Sequence, residues 1–288
     1  MRTATASGAP VPMNRHRRMA GWSLSRRAWA IGGILALLGG CASAPGEPAA
    51  DVRRTLAPTG TLRVAVYPGS PTSLVREAER SQMRGLTVDL GTELGRRLGV
   101  PVQILVLPRV AEVVAAVQRG DADMTITNAT AERAKGVDFT APLVSLELGL
   151  LVRSGSPLAS VAAMDQPGAR VGVSQGSTTQ RVLGEQVRQA TLVPMPTLQA
   201  AGQALQAGQL DGFATNKGIL FELADRVPGA RVLDGRWGLE HLAIATGKGR
   251  DAALPWLRGF AAAVAADGQV ARAAERAGLR GTVPAGAR

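Results

Sequence analysis

Two blocks of this chain are written twice, in the same order, and that repetition limits the fold more than any other feature. AVQRGDADMTITN, residues 116–128, aligns with ALQAGQLDGFATN, residues 204–216, at an offset of 88 (216 − 128). Shared are Ala116/Ala204, Gln118/Gln206, Gly120/Gly208, Asp123/Asp211, Thr127/Thr215 and Asn128/Asn216. LRVAVYPGSPT, residues 62–72, aligns with ARVGVSQGSTT, residues 169–179, at an offset of 107 (169 − 62). Here Arg63/Arg170, Val64/Val171, Val66/Val173, Gly69/Gly176, Ser70/Ser177 and Thr72/Thr179 coincide. Each copy opens with a short β-branched run that ends in a Gly-Ser loop, the pattern of a buried strand. A segment of helical period follows (111–119, 199–207) and stops at Gly120 or Gly208, after which a second strand begins. Helices are also expected over 87–98, 180–188 and 259–277. Strand and helix alternate throughout, which predicts an α/β fold of two like lobes with parallel sheets. In such sheets ligands gather beyond the carboxyl ends of the strands.

The charge is uneven. The formal balance is 33 − 22 = +11, but residues 1–40 hold six arginines (Arg2, Arg15, Arg17, Arg18, Arg26, Arg27) and no acid, leaving 27 − 22 = +5 from Cys41 onward. With aromatics at 3%, a nucleic-acid partner loses its support. A single cysteine excludes an internal disulfide framework or a cysteine-rich zinc site, and His16 and His241 are too few for a histidine metal centre. No metal or cofactor is expected. Residues 1–40 read as an export signal: a basic stretch, an apolar run over 28–38 and small residues before Cys41. Leu38-Gly39-Gly40-Cys41 resembles a bacterial lipobox, which implies lipidation at Cys41 and attachment to a membrane. The alternative is an ordinary signal peptide with an incidental cysteine. Arg26-Arg27 after Ser25 also fits a twin-arginine signal loosely, and Met13 or Met19 are alternative starts. Residues 41–57, rich in Ala and Pro, form a tether.

Two segments carry groups suited to an anion. Gly176-Ser177-Thr178-Thr179-Gln180 sits between a strand and a helix, where first-turn N–H groups and hydroxyls can hold a carboxylate; plain helix capping by Ser or Thr fits the same residues. Thr130-Ala131-Glu132-Arg133 has nearly the form of a capping box. Arg133 reads either as a guanidinium fork for a carboxylate or as a solvated surface charge.

The order Gly60-Thr61-Leu62-Arg63-Val64, Gly85-Leu86-Thr87-Val88-Asp89-Leu90, Gly120-x-x-Asp123, Thr130-x-Glu132-Arg133, Val137-Asp138-Phe139-Thr140-Ala141-Pro142, Gly176-Ser177-Thr178 and Gly208-x-x-Asp211 resembles the amino-acid-type family of bacterial periplasmic solute-binding proteins. The resemblance covers about residues 58–280. It implies two lobes, 58–147 with 239–288 and 148–238, joined by hinges at 146–151 and 239–243, and closing on a small solute for an ABC permease. It assigns Arg133 to a ligand carboxylate, with Ser177 and Thr178 opposite. Thr130, Asn128, Asn216 and Ser70 complete the candidate ligand set. Three departures stand out. Asn216 replaces an acid that normally meets the ligand's ammonium. The stretch from Asp123 to Arg133 is two residues short, displacing Thr127 and Asn128, and Val110 and Pro71 stand where aromatic residues are usual. The resulting expectation is a carboxylate-bearing solute whose amine is dispensable or absent. A classical amino acid served by another acid, Glu147 or Glu240, stays open, with Trp237, His241 and Lys217 nearby. The chain is expected to be a monomeric, periplasmic, membrane-anchored binding protein without catalysis. The rivals are a dehydratase of the cyclohexadienyl or arogenate type on the same fold, and a receptor for a membrane kinase.

Overall fold

The computed structural model describes residues 49–76 and 83–283. The export signal, Cys41 and the expected tether up to residue 48 lie outside the described residues; the end of that tether is instead part of the fold, since residues 50–56 form a helix and Leu56 and Ala57 are buried in the core. The chain runs through α1 (Ala50–Leu56), β1 (Leu62–Val66), β2 (Val75–Arg76), β3 (Met83–Arg84), α2 (Leu86–Leu98), β4 (Val102–Val106), α3 (Val110–Arg119), β5 (Met124–Asn128), α4 (Ala131–Ala134) and β6 (Val137–Phe139). It continues through β7 (Val144–Val152), β8 (Arg170–Ser174), α5 (Thr178–Gln186), β9 (Thr191–Met195), α6 (Leu198–Gln206), β10 (Gly212–Asn216) and α7 (Lys217–Ala224). The last elements are β11 (Arg231–Val232), β12 (Gly238–Gly247), α8 (Leu254–Ala266), α9 (Gln269–Arg276) and β13 (Thr282–Val283).

The expected α/β alternation is present, but the sheet is mixed rather than parallel. Its strands lie in the order β4-β1-β5-β12-β7-β10-β8-β9. The pairs β1/β4, β1/β5, β8/β10 and β8/β9 are parallel, whereas β5/β12, β12/β7 and β7/β10 are antiparallel. The two longest strands cause the difference. β7 pairs with β12 over Val144–Leu148 and then with β10 over Leu148–Val152, so one strand passes from one half of the sheet into the other. β12 passes likewise, pairing with β7 over Gly238–Leu242 and with β5 over Leu242–Thr246.

Two separate cores flank these crossing strands. On one side Leu62, Val64, Leu86, Leu94, Ile244 and Phe260 pack together, while Ala65, Val113, Val117 and Ala245 pack on the opposite face of the same strands. On the other side Leu150, Val171 and Ala214 form one layer, and Phe213, Leu205 and Leu220 another. Helices thus cover both faces of each parallel part, as unbroken apolar strands require. The helix expected over 259–277 is two helices, α8 and α9. Gly268 between them has φ of +74°, a left-handed conformation that ends α8 and redirects the chain.

Candidate functional site

A cavity opens where β1, β5, β8 and β10 end, the place a parallel α/β sheet offers to a ligand. Its wall includes Tyr67, Asn128, Arg133, Ser177, Thr178, Asn216 and Glu240. Of the seven candidates read from the sequence, Arg133, Asn128, Ser177, Thr178 and Asn216 line this cavity, Thr130 joins Arg133, Ser177 and Thr178 around an adjoining pocket, and Ser70 lines neither.

Ser70 is fully buried, and its hydroxyl is hydrogen-bonded to that of Thr72 at 2.8 Å, so it lies behind the wall. Thr130 caps α4, accepting from the Arg133 N–H at 3.2 Å. That cap orients the turn from which the Arg133 side chain leaves. The guanidinium is then fixed by two acceptors on β5: Nη1 donates to Thr127 Oγ1 at 2.6 Å and to the Asn128 carbonyl at 3.3 Å. Burial lowers the Arg133 pKa, and the neighbouring Glu240 carboxylate opposes that shift. A guanidinium is effectively always protonated in proteins, so the cavity carries a fixed cation whose remaining N–H groups are open to an acceptor. Asn128 is a support: its Oδ1 accepts from the His241 N–H at 3.1 Å.

Across the cavity Ser177 caps α5, accepting from Gln180 N–H at 3.1 Å, while the Gly176 N–H donates to Gln180 Oε1 at 2.6 Å. Capping and wall-lining coexist here, because the first-turn amides of Thr178 and Thr179 have no acceptor within the helix. The loop leading into α5 lies against α3: a Cβ added at Gly176 would come within 2.6 Å of Ala111 Cβ.

Asn216 caps α7, its Oδ1 accepting from Ile219 N–H at 3.0 Å, and its Nδ2 donates to Glu240 Oε1 at 2.7 Å. Desolvation pushes the Glu240 carboxyl up from 4.5 to about 7, although Arg133 and the Asn216 hydrogen bond pull it down. Among the described residues Glu240 is the one carboxylate in the wall.

The remaining residues singled out near the crossing strands are engaged elsewhere. Glu147 accepts from Lys217 Nζ at 2.6 Å, which also removes Lys217 from the cavity wall. Trp237 Nε1 donates to the Gly149 carbonyl at 3.0 Å, and His241 Nδ1 meets Ser145 Oγ at 2.7 Å across the β7/β12 pair. Ser145 is fully buried outside the wall, so this Ser–His pair presents no nucleophile to the cavity.

Tyr67 was not singled out by its sequence context as a wall residue. It follows β1 directly, its N–H donating to Ser73 Oγ at 2.8 Å and its hydroxyl to Ser70 Oγ at 3.4 Å. The signal was positional: the first residue beyond a parallel strand faces the ligand crevice. Arg109 also joins the wall and pairs with Glu112 at 2.6 Å. Among the described residues no group of His, Cys, Asp and Glu could hold a metal ion, and no helix is long and apolar enough to cross a membrane.

Known proteins share this fold. The model of the bacterial extracellular solute-binding proteins, family 3, matches residues 62–278. The ABC transporter glutamine-binding protein GlnH of Bacillus subtilis (strain 168) is 32% identical over 140 residues, which are 47% of this chain and 50% of that protein. The match thus spans half the length of that relative. The solute receptor for L-cysteine of Neisseria gonorrhoeae superposes with a TM-score of 0.70 at 24% identity, covering 79% of this chain and 92% of that one. AncCDT-1, an ancestral amino acid-binding protein described as a precursor of cyclohexadienyl dehydratase, superposes with a TM-score of 0.68 at 24% identity, covering 77% and 97%. By the extent of the family match and by its bilobal type II architecture, the chain belongs to the bacterial extracellular solute-binding proteins, family 3.

Proposed function

We propose that the chain is the extracytoplasmic solute-binding component of an ABC importer and holds a small carboxylate-bearing solute, an amino acid or a related organic acid, in the Arg133 cavity. The observation that carries this is the fixed guanidinium of Arg133 lining one cavity with the first turn of α5, so that a cation and a set of N–H donors border the same space. The names of relatives agree: one is a glutamine-binding protein and another a receptor for L-cysteine. The lobes would be 58–147 with 239–288 and 148–238, so that the ligand bridges both and favours the closed arrangement by its extra contacts. In this reading the protein is a periplasmic monomer, exported by residues 1–40 and anchored through a lipid on Cys41. Isothermal calorimetry with a panel of amino acids and organic acids tests the proposal, with Arg133→Ala as control. Tight binding that survives Arg133→Ala would sink it.

One observation favours a second reading. A carboxyl held near pH 7 beside a carboxylate clamp, as Glu240 is, can donate a proton to a leaving hydroxyl, as a dehydratase requires. Turnover of prephenate or arogenate by the purified protein, lost in Glu240→Gln, would establish that activity.

A further inference from the structure

We propose that Glu240 is the receptor for a ligand's ammonium group, so that Arg133 and Glu240 together form a template for a zwitterion. This rests on the carboxylate-binding reading above and specifies the other end of the ligand.

The geometry carries the argument. Arg133 and Glu240 line the same cavity and feel each other's charge, yet each is held by other partners, Arg133 by Thr127 and Asn128 and Glu240 by Asn216. Thr127 and the Asn128 carbonyl hold the guanidinium on its own wall, while Asn216, fixed as the cap of α7, holds Glu240 Oε1 on another. Two groups of opposite charge thus share one partly desolvated cavity without pairing. That separation is costly unless something bridges them. A group with a carboxylate at one end and an ammonium at the other bridges both. Only Oε1 of Glu240 is engaged, so among the described residues Oε2 is left for a donor in the cavity. Asn216 itself offers no charge: its Oδ1 is used by Ile219 N–H, and its Nδ2 is a donor that would repel an ammonium.

A proton accompanies this recognition. The groups facing Glu240 are Arg133 from α4, Asn216 from the end of β10 and Tyr67 from the end of β1, with Arg109 of the α3 cap in the same wall. His241, next on the strand, is turned to Ser145. Ligand-free Glu240 titrates near 7. An ammonium beside it favours the ionised form, so binding below pH 7 releases a proton, and affinity rises with pH up to about 7 and then levels.

The test is calorimetry of the purified protein with L-glutamine, L-arginine and L-cysteine against glutaramate, 5-guanidinopentanoate and 3-mercaptopropionate, which lack only the α-amine. At least one amino acid is expected to bind about 100-fold more tightly than its deaminated counterpart, because the loss leaves a buried charge unpaired. Glu240→Gln should erase that preference. Its affinity for the amino acid should return in Asn216→Asp/Glu240→Gln, where the acid and amide exchange places and the hydrogen bond between them reverses. Titrations at pH 6 in buffers of different ionisation heat should show proton release in the wild type and none in Glu240→Gln. Equal binding of both series, lost in Arg133→Ala, would overturn the role of Glu240 and leave the carboxylate reading standing. Undiminished amino-acid binding by Glu240→Gln would also overturn it. Binding of neither series would overturn both readings.

Discussion

Arg63 grips Asp123 with backbone and side chain at once: its N–H reaches Oδ2 at 2.8 Å, Nε reaches Oδ2 at 3.0 Å and Nη2 reaches Oδ1 at 2.8 Å, while Nη2 also donates to the Gly120 carbonyl at 2.7 Å. Arg170, Asp211 and Gly208 repeat this clamp, with N–H to Oδ2 at 2.9 Å and Nη2 to the Gly208 carbonyl at 2.7 Å. The duplicated Arg, Gly and Asp are therefore one device used twice, tying a strand's start to the turn before its parallel neighbour. The copies differ in burial. Arg63 and Asp123 are 19% and 0% exposed against 43% and 7% for Arg170 and Asp211, and the extra arginine is the buried Arg250 at 2.8 Å on Asp123 but the more exposed Arg153 at 3.2 Å on Asp211. Asp123→Ala should cost about 3–5 kcal/mol, because it strands the buried Arg250 guanidinium. Asp211→Ala should cost about 1–2 kcal/mol. Urea unfolding of the two variants checks the ranking.

Much of this was legible in the sequence because repeats and strand runs are local patterns. LRVAV and the Gly120 stop correspond to β1 and to the end of α3. Strand direction was not legible. β7 and β12 read as apolar runs like any other, and their antiparallel crossing arises only when both halves of the sheet are assembled. At the candidate site, Arg133 and Ser177 stand out by their motifs and line the cavity, whereas the juxtaposition of Asn216 and Glu240 joins residues 24 apart, on two strands that do not pair with each other. Ser70 shows the opposite failure. Its repeat partner Ser177 caps a helix at the wall, but Ser70 is followed by Pro71 and a turn, which folds it under Tyr67.

Thr127, itself in the cavity wall, should matter for binding through its hold on Arg133. Its hydroxyl accepts the shortest hydrogen bond of Arg133, so Thr127→Val keeps the shape of the side chain and frees the guanidinium to swing. Affinity for whichever carboxylate binds is expected to fall about tenfold, as one charge-assisted hydrogen bond implies. Arg133→Lys should fall further, since an ammonium lacks the planar fork. The thermal midpoint of Thr127→Val should change by only a few degrees, which separates positioning from folding.

Glu240 also gives the ligand-free protein a pH signature. Its carboxyl is raised from 4.5 to about 7 in the folded state, so the folded chain retains a proton that the unfolded chain gives up. That contribution to stability is complete below about pH 4.5 and is lost as pH rises through about 7. Glu240→Gln removes the titration. The variant should therefore gain stability relative to wild type as pH climbs from 5 to 7.5, and melting curves without solute at those two values show the crossover. A constant difference between the two proteins would mean that Glu240 titrates normally.

Closure should be sensitive to the contact between Gly176 and Ala111. Gly176 has φ of +72°, and a Cβ there would come within 2.6 Å of Ala111 Cβ, closer than two carbons can pack. Gly176→Ala therefore introduces two effects: a local cost of roughly 1–2 kcal/mol for the left-handed backbone, and a clash felt only when the α5 loop lies on α3. The clash pushes α5 away from Arg133, so solute affinity should drop at least tenfold and small-angle scattering should show a less compact protein at saturating solute. Ala111→Gly in the same chain removes the opposing carbon and leaves the backbone cost unchanged. Recovery of compactness and affinity in Gly176→Ala/Ala111→Gly, with stability still reduced, assigns the defect to closure. If the double variant stays as weak as the single one, backbone strain in the α5 cap is the cause, and this contact does not govern the closed state.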